Sequence, residues 1–312
     1  MKPAVLGVGG LHPMFVKNIE EPFTLDIIAD ESEFDRVAEK AAEYRAIAAT
    51  GESRVPASLL ARLPNVGLIS VFGVGYDGVD VPAARARGVA VTHTPNVLND
   101  DVADLAIGLM LAASRKMVAS DRFVRSGKWP EGRFPLGTKL SGRRLGILGL
   151  GRIGHAIAHR AEAFGMAISY AQRRRDEASP YDYYPSALEL ARAVDVLVAI
   201  LPGGESTRGI INGPVLEALG PDGLFVNVAR GSVVDEPALI EALGSGKLGA
   251  AGLDVFVDEP NVPSALFGME NVVLTPHIGS ATSQTRQAMA DLAFGNLQAH
   301  FAGTPLITPV PA

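Results

Sequence analysis

Short runs of apolar and β-branched residues recur along the chain, separated by stretches of helical character. The runs are continuous rather than alternating, which is typical of strands buried on both faces in parallel sheets. We predict a first series of strands at Ala4–Val8, Leu25–Ala29, Tyr44–Ala49, Val66–Val71 and Val89–Thr92. We predict a second series at Arg144–Gly149, Ala167–Ala171, Asp195–Ile200, Leu224–Val228, Gly249–Val255 and Val272–Leu274. This alternation predicts an α/β protein with helices on both faces of its sheets.

A break between the two series, near residues 94–96, divides the chain. A long apolar helix is predicted after it, over Asp101–Lys116, with acidic residues first and basic residues last, as the helix dipole favours. A last amphipathic helix is predicted over Ala281–Phe301. A chain of 312 residues is also too long for one ordinary core. We therefore predict a smaller domain from residues 1–95 and 280–312, with a doubly wound domain inserted at 96–279.

Composition and charge exclude several classes of protein. The formal net charge of −6 argues against binding to nucleic acid, which usually needs a basic face. The absence of cysteine excludes disulfides, thiolate metal sites and a cysteine nucleophile. The first residues lack the length and flanks of a signal peptide, and no apolar run reaches the roughly 18–20 residues of a membrane helix. We expect a soluble, cytoplasmic protein without a membrane or nucleic-acid partner.

The strand predicted at Arg144–Gly149 runs into the glycine pattern Gly-x-Gly-x-x-Gly. Gly149 allows a tight turn, Gly151 lets the backbone approach a diphosphate, and Gly154 lets the following helix pack closely on the strand. A helix and another strand follow, which is the context that a dinucleotide site requires. We predict that this segment binds a dinucleotide through Gly149, Leu150, Gly151, Arg152, Ile153 and Gly154. A simple glycine turn is the alternative.

The end of the next strand predicts which dinucleotide binds. An NAD site carries an acidic residue there, which accepts a hydrogen bond from the ribose 2′-hydroxyl. This chain has Gln172, Arg173 and Arg174 instead, and a guanidinium offers a planar fork of donors to a 2′-phosphate. We therefore predict that NADP(H) is preferred and that NAD(H) is possible. A solvated basic turn, balanced by Asp176 and Glu177, is the alternative.

Three charged residues follow the carboxyl ends of predicted strands in the second series: Arg230, Glu259 and His277. Ligands bind at that edge of an open parallel sheet. An arginine, a carboxylate and a histidine together there predict an acid–base site for an anionic substrate. Each residue also has a structural alternative. The histidine could hold a loop, the glutamate could cap a turn, and the arginine could pair with Asp235.

His155 and His159 have the i,i+4 spacing that can bind a metal on one face of a helix. A third ligand does not follow near them in the sequence. We interpret both as surface residues and predict no metal site.

The segments above resemble the D-isomer-specific 2-hydroxyacid dehydrogenase family over nearly the whole chain. The similar segments are Gly73–Asp77, Asp101–Asp104, Gly149–Gly154, Asn227–Asp235, Gly252–Pro260 and Thr275–Gly279. Asp101–Met110, Arg125–Trp129 and the basic turn at Arg173 resemble its glyoxylate/hydroxypyruvate reductase branch, near which the plant hydroxyphenylpyruvate reductases also lie. The resemblance implies two Rossmann-like or flavodoxin-like domains. It also implies NADPH-dependent reduction of a small 2-oxo acid, such as glyoxylate or hydroxypyruvate, to its D-2-hydroxy acid.

The resemblance implies a role for each site residue. His277 protonates the carbonyl oxygen as hydride arrives, and Glu259 hydrogen-bonds it and favours the imidazolium. Arg230 binds the substrate carboxylate and polarises the 2-oxo oxygen, while the N–H groups of Val74 and Gly75 bind the other carboxylate oxygen. Asp254 resembles the acid that holds the nicotinamide carboxamide. Further cofactor contacts are implied for Leu201, Pro202, Thr207, Val228, Ala229, Arg230, His277 and Gly279.

The resemblance also implies a homodimer. In the family, the region that corresponds to Asp101–Lys116 and Arg122–Trp129 forms the dimer interface. A tryptophan like Trp129 reaches the neighbouring subunit's site, which would make it a wall of the partner's substrate pocket. The alternative is that the apolar helix belongs to the core of its own subunit.

Two other functions stay open on the sequence. One is a non-catalytic NAD(P)H-sensing protein of the same fold, against which the intact Arg230, Glu259 and His277 weigh. The other is a family dehydrogenase for a different 2-oxo or 2-hydroxy acid, such as hydroxyphenylpyruvate, phosphoglycerate or D-lactate. A D-lactate dehydrogenase that uses NADH would be expected to carry the acidic residue that this chain lacks after its second strand.

Overall fold

Two parallel β-sheets organise the chain in a computed structural model that describes residues 2–311. The contacts divide the chain into two units, the first of which combines the described residues up to Leu98 with those from Ser280 onward. The second unit is Asn99–Gly279. The first unit is therefore discontinuous, with the second inserted in its sequence.

The first unit contains a five-stranded sheet in the order β2-β1-β3-β4-β5, with every neighbouring pair parallel. Strands β1 and β4 are buried along their whole length, as their continuous apolar sequences predict. The strands are β1 (Ala4–Val8), β2 (Thr24–Ile28), β3 (Tyr44–Thr50), β4 (Leu68–Phe72) and β5 (Ala90–Thr92). The helices are α1 (Pro13–Glu20), α2 (Ala57–Ala61), α3 (Val81–Ala86) and, at the end of the chain, α10 (Ser283–Ala302).

The second unit contains a seven-stranded parallel sheet in the order β12-β11-β10-β9-β6-β7-β8. Its strands are β6 (Arg144–Leu148), β7 (Ala167–Ala171), β8 (Asp182–Tyr184), β9 (Val196–Ala199), β10 (Leu224–Asn227), β11 (Ala250–Leu253) and β12 (Val272–Leu274). The order is that of a doubly wound dinucleotide-binding sheet with one added strand, β12. The strand order reverses between β6 and β9, where such sheets bind their ligand. The predicted fold class, two doubly wound parallel-sheet domains, is thereby confirmed.

The helices of the second unit are α4 (Asn99–Ser114), α5 (Met117–Arg125), α6 (Arg152–Glu162), α7 (Ala187–Ala193), α8 (Gly213–Leu219) and α9 (Glu236–Gly244). The helix predicted over Asp101–Lys116 ends at Ser114, because Lys116 takes a left-handed conformation with φ of 51° and α5 begins directly after it. Among the helices of residues 2–311, none combines the length and apolarity that crossing a bilayer requires.

Strand β8 has no counterpart among the predicted strands. Its sequence, Asp-Tyr-Tyr, is polar and half-exposed, because β8 lies at the edge of the sheet. Conversely, the predicted strands that reached Gly149, Val228 and Val255 end earlier in the structure. Those last apolar residues belong to the loops at the carboxyl edge, where the candidate site lies.

Candidate active site

The glycine turn after β6 has the geometry that its sequence predicts. Gly149 has φ of 104°, in the left-handed region that favours glycine, and a Cβ there would lie 2.8 Å from the Ile200 carbonyl oxygen. A Cβ on Gly154 would lie 2.4 Å from the carbonyl oxygen of Gly149, so the start of α6 packs directly on the turn. A Cβ on Gly151 would meet no heavy atom within 4 Å beyond its own neighbours. The backbone at Gly151 is therefore open to a ligand.

The start of α6 suits a dinucleotide diphosphate. Its N-cap is Gly151, and no side chain of the described residues caps it, whereas Ser186 caps α7 and Asp235 caps α9. The first N–H groups of a helix lack partners within the helix and carry its positive dipole end. Such an uncapped start after a glycine turn is the cradle that nucleotide phosphates occupy. The residues present therefore fit the predicted cofactor.

The basic turn after β7 exposes three arginines, Arg173, Arg174 and Arg175. Arg173 and Arg174 form no ion pair with residues 2–311, whereas Arg175 lies 3.4 Å from a carboxylate oxygen of Glu177. Asp176 is also engaged, since its Oδ1 accepts a hydrogen bond of 3.0 Å from the Ala178 amide. The acids that could have balanced the turn therefore do not pair with Arg173 or Arg174. Both guanidinium groups can bind a 2′-phosphate.

Gln172, whose role sequence reasoning missed, stands at the end of β7 where an NAD site carries its acid. Its Oε1 accepts a hydrogen bond of 3.2 Å from the amide of Leu150 in the glycine turn. A neutral side chain here links the two cofactor segments without a negative charge that would repel a 2′-phosphate.

His277 and Glu259 form a hydrogen-bonded pair. The Nδ1 atom of His277 lies 2.6 Å from Oε2 of Glu259, and both side chains are partly buried. The other oxygen of Glu259, Oε1, accepts a hydrogen bond of 2.8 Å from the Phe256 amide. Glu259 therefore contacts both the backbone of its own turn and the imidazole of His277.

A buried carboxylate, Asp254, shapes the loop that carries the histidine. It is 2% exposed, and it accepts hydrogen bonds from the Thr275 hydroxyl at 2.7 Å, the Ile278 amide at 2.8 Å and the Gly279 amide at 2.9 Å. Burial raises the pKa of Asp254, and these hydrogen bonds offset part of that rise. The network holds His277 in a left-handed conformation with φ of 53°. Thr275 is a second residue that sequence reasoning missed.

Arg230 lies in a turn that Asn227 holds. The Asn227 side chain is buried, its Nδ2 donates to the Arg230 carbonyl oxygen at 3.0 Å, and its Oδ1 accepts from the Ala229 amide at 3.0 Å. The Nη1 atom of Arg230 donates to the Ala229 carbonyl oxygen at 2.7 Å. Asp235, the alternative partner of Arg230, caps α9 by accepting from the Ala238 amide at 3.1 Å. In the sequence, Asn227 is visible only as an amide residue that directly follows an apolar run.

The remaining residues of the second unit that are predicted to contact the cofactor lie in loops at the same sheet edge. Leu201 and Pro202 follow β9, and the Thr207 hydroxyl closes their loop by donating to the Pro202 carbonyl oxygen at 2.8 Å. Val228 and Ala229 follow β10, and the Val228 amide donates to the Ala199 carbonyl oxygen at 3.2 Å. Because parallel strands end at one edge, the glycine turn, these loops and the charged trio share that edge.

Other predicted residues lie elsewhere. Val74 and Gly75 belong to the first unit, where the His93 Nδ1 atom lies 2.9 Å from the Val74 carbonyl oxygen and holds the turn after β4. Trp129 is 67% exposed in a short 3₁₀ helix after α5. His155 and His159 approach different carboxylates, Asp176 at 3.9 Å and Glu162 at 3.7 Å.

Comparison with known families gives a match over residues 107–279. These residues match the model of the NAD binding domain of D-isomer specific 2-hydroxyacid dehydrogenases. The match covers more than half of the chain and includes the glycine turn, Arg230, Glu259 and His277.

Similar proteins of known name span most of the chain. A hydroxyphenylpyruvate reductase of Plectranthus scutellarioides is 52% identical over 276 residues, which are 88% of this chain and 88% of that protein. A glyoxylate/hydroxypyruvate reductase A of Arabidopsis thaliana is 52% identical over 266 residues, 85% of each chain. The crystal structure of an NADPH-dependent glyoxylate/hydroxypyruvate reductase from Sinorhizobium meliloti, in complex with NADP and malonate, superposes with a TM-score of 0.94. It is 44% identical and covers 99% of this chain and 97% of that one.

Proposed function

The chain belongs to the D-isomer specific 2-hydroxyacid dehydrogenase family, and from this premise we propose that it uses NADPH to reduce hydroxypyruvate to the D-2-hydroxy acid and glyoxylate to the achiral glycolate. The observation that carries the proposal is the His277–Glu259 pair at the sheet edge that also bears Arg230 and the glycine turn. An acid–base pair at the same sheet edge as a dinucleotide cradle suits the reduction of a carbonyl group.

His277 supplies the proton in the proposed reaction. Its Nδ1 is held by Glu259, so an imidazolium donates from Nε2 to the carbonyl oxygen of the 2-oxo acid. The neighbouring carboxylate favours the charged imidazolium before the transfer. In the reverse direction, neutral Nε2 accepts the hydroxyl proton of the 2-hydroxy acid.

Arg230 binds the anionic substrate in this proposal. Its guanidinium can pair with the substrate carboxylate, and the positive charge polarises the 2-oxo oxygen next to it. The turn held by Asn227 fixes the backbone position from which the Arg230 side chain extends. The amides of Val74 and Gly75 remain a prediction for the second carboxylate oxygen, and Asp254 remains one for the nicotinamide carboxamide.

The cofactor residues favour NADPH. When bound, the nicotinamide supplies the hydride that reduces C2 of the substrate. The uncapped start of α6 would hold the diphosphate, and Arg173 and Arg174 would hold the 2′-phosphate. The solved relative from Sinorhizobium meliloti, which is NADPH-dependent and binds NADP, supports this choice.

The names of the relatives support a small 2-oxo acid as the substrate. One relative acts on hydroxyphenylpyruvate and the other on glyoxylate and hydroxypyruvate, and all three compounds are 2-oxo acids. They differ in the group beyond C2, which ranges from hydrogen to a hydroxyphenylmethyl group. Glyoxylate and hydroxypyruvate are the substrates that we propose, and hydroxyphenylpyruvate is the comparison.

A panel of 2-oxo acids tests the proposal. We expect oxidation of NADPH, followed at 340 nm, with glyoxylate and hydroxypyruvate, and a lower kcat/KM with hydroxyphenylpyruvate or with NADH. Chiral analysis of the product should give the D-2-hydroxy acid from hydroxypyruvate. Binding of NADPH without turnover of any 2-oxo acid would instead indicate an NAD(P)H-sensing protein.

We also propose that the protein is a cytoplasmic homodimer. Helix α5 and the segment after it expose four large apolar side chains, those of Met117, Val124, Trp129 and Leu136, and their exposure in one stretch of the chain supports an interface there. Size-exclusion chromatography with light scattering tests the dimer, and cell fractionation tests the location.

A further inference from the structure

A short backbone segment, Phe256–Glu259, carries Glu259 and also contacts the first residue of α9. Phe256 is 6% exposed and anchors the segment in the core, whereas the Val257 side chain is 54% exposed and packs little. The position of the segment therefore depends on contacts to its backbone. Two of these contacts come from residues that closely follow Arg230 in the chain.

The first contact is a close crossing at Gly231. A Cβ on Gly231 would lie 1.9 Å from the carbonyl carbon and oxygen of Phe256, and 2.4 Å from the Val257 nitrogen. Its own carbonyl oxygen accepts a hydrogen bond of 3.0 Å from the Val234 amide. The turn that carries Arg230 and the segment that carries Glu259 therefore touch backbone to backbone.

The second contact is a hydrogen bond from the Val257 amide to Oε1 of Glu236, at 3.2 Å. Glu236 is the first residue of α9, but Asp235 already caps that helix by accepting from the Ala238 amide. The carboxylate of Glu236 thus reaches out of its helix to a loop 21 residues further along the chain.

We infer that Glu236 is a positioning residue that fixes the segment from which Glu259 reaches His277. The adjacent amides of Phe256 and Val257 each donate a hydrogen bond to a carboxylate, the first to Glu259 and the second to Glu236. With the segment held, Oε2 of Glu259 lies 2.6 Å from Nδ1 of His277. The inference rests on the proposed function, because it takes His277 as the proton donor.

The orientation of Glu259 affects whether His277 carries its proton, because a carboxylate held at Nδ1 favours the imidazolium. Asp254 also acts electrostatically on His277 from the neighbouring strand end, and Arg230 stands at the end of the next strand, β10. A change at Glu236 leaves all three charged groups in the chain. A shift in the pH profile would therefore report how Glu259 is oriented.

Three substitutions at Glu236 distinguish the effect of its side-chain length from that of its charge. Glu236→Gln keeps an acceptor oxygen at the same reach, Glu236→Asp keeps the charge but is one methylene shorter, and Glu236→Ala removes both. Glu241→Ala is the matched control, because Glu241 is an exposed glutamate on the same helix and no side-chain hydrogen bond links it to the 256–259 segment in the described part of the chain.

Single-turnover oxidation of NADPH by glyoxylate, measured across pH, is the main readout. We expect Glu236→Ala and Glu236→Asp to lower the rate about tenfold, since catalytic groups misplaced by ~1 Å can cost roughly a hundredfold. The descending limb of the profile should move to lower pH, because the imidazolium is less favoured. Amide exchange over residues 255–259 should become faster, while NADPH affinity stays unchanged. Glu236→Gln and Glu241→Ala should match the wild type.

Two results would overturn the inference: wild-type behaviour of Glu236→Ala, or a loss in Glu236→Gln as large as in Glu236→Ala. If Glu236→Ala does not fold, the Asp and Gln variants decide between reach and charge. If the wild type reduces no 2-oxo acid, the proposed function fails. The amide-exchange comparison would then still test whether Glu236 holds the segment.

Discussion

At His277 the backbone adopts a left-handed conformation that asparagine tolerates far better than alanine. His277→Asn therefore removes the imidazole with little added strain in the loop. We expect turnover to fall about 10²–10⁴-fold, the usual loss when a general acid is removed. The NADPH dissociation constant should change little, because the glycine turn is untouched. Single-turnover kinetics and NADPH fluorescence titration measure the two effects.

His159→Asn is the matched control for this change. The His159 side chain is 84% exposed on α6 of the same unit, and its replacement should leave turnover unaltered. Wild-type turnover in His277→Asn would remove the histidine from the mechanism. An equal loss in both variants would point to a general destabilisation of the unit.

Arg173 and Arg174 should decide between the two dinucleotides. Replacing them with Asp and Gly removes the donors to a 2′-phosphate and adds a carboxylate that can accept from a 2′-hydroxyl. We expect the ratio of kcat/KM for NADPH to that for NADH to fall by roughly a hundredfold, since each hydrogen bond to a charged group contributes about 1.5–3 kcal/mol. Steady-state kinetics with both cofactors measure the ratio.

Arg175→Ala controls for the local charge, because Arg175 pairs with Glu177. It should leave the ratio close to that of the wild type. An unchanged ratio in the Arg173 and Arg174 double variant would contradict the role that we assign to the turn.

The sequence predicts the residues that would contact ligands better than it predicts the residues that hold those side chains in position. Arg230, Glu259 and His277 are charged residues directly after apolar strands, and that placement is visible in the sequence. Asn227 and Thr275 act through hydrogen bonds that depend on the path of a turn. The reach of Glu236 to the Val257 amide spans 21 residues and has no local pattern. Contacts of this kind follow from tertiary packing, which a single sequence does not encode locally.

Among the elements, α6 is placed by its close contact with the end of β6. Gly154→Ala would put a Cβ 2.4 Å from the Gly149 carbonyl oxygen, so the helix or the turn must move. We expect a loss of about 1–3 kcal/mol in the free energy of unfolding, the usual cost of overpacking. NADPH should also bind at least tenfold more weakly. Denaturant unfolding and fluorescence titration measure the two losses.

Gly213→Ala provides the comparison for this element. Gly213 begins α8, and a Cβ there would meet only the Ala238 Cβ, at 3.9 Å, an ordinary contact. This variant should keep both stability and NADPH affinity. Full NADPH affinity in Gly154→Ala would show that the cofactor does not depend on how α6 meets the turn.

Elements with strong apolar patterns match their predictions best. Strands β1, β7 and β12 have the predicted bounds, because each is a run of apolar residues ended by a turn. The polar edge strand β8 lacks that pattern, since one side of it faces no neighbouring strand. Helix α5, which begins directly after the left-handed residue Lys116, also has no counterpart among the predicted helices.

On the scale of the whole molecule, the two series of strands predict two units because each parallel sheet needs its own core. The contacts change after Leu98 and again after Gly279, close to the predicted breaks at residues 95 and 279. A break between sheets is visible in sequence as a loop followed by a long helix. A dimer interface leaves no comparable signal in the sequence. The apolar helix α4, for example, is largely buried within its own unit, so its apolar sequence reflects that core.

The exposed Trp129 gives the proposed dimer a sharp test. If it completes the partner's substrate pocket, Trp129→Ala should raise the KM for glyoxylate about tenfold or more, since a buried tryptophan at an interface often contributes 2 kcal/mol or more. The variant should still bind NADPH and keep its oligomeric state, because Met117, Val124 and Leu136 remain on the proposed interface.

Mixed dimers then distinguish a contribution to the partner from one within the subunit. Subunits carrying Trp129→Ala are co-expressed with subunits carrying His277→Asn, each with a different affinity tag. In a mixed dimer, one site combines an intact His277 with the partner's intact tryptophan. Random assembly makes half of the dimers mixed, each with one complete site of two, so the unfractionated mixture should regain about a quarter of wild-type activity at low glyoxylate, and mixed dimers isolated through both tags about half. Activity no higher than in the Trp129→Ala dimer alone would mean that Trp129 serves its own subunit's site, or neither site.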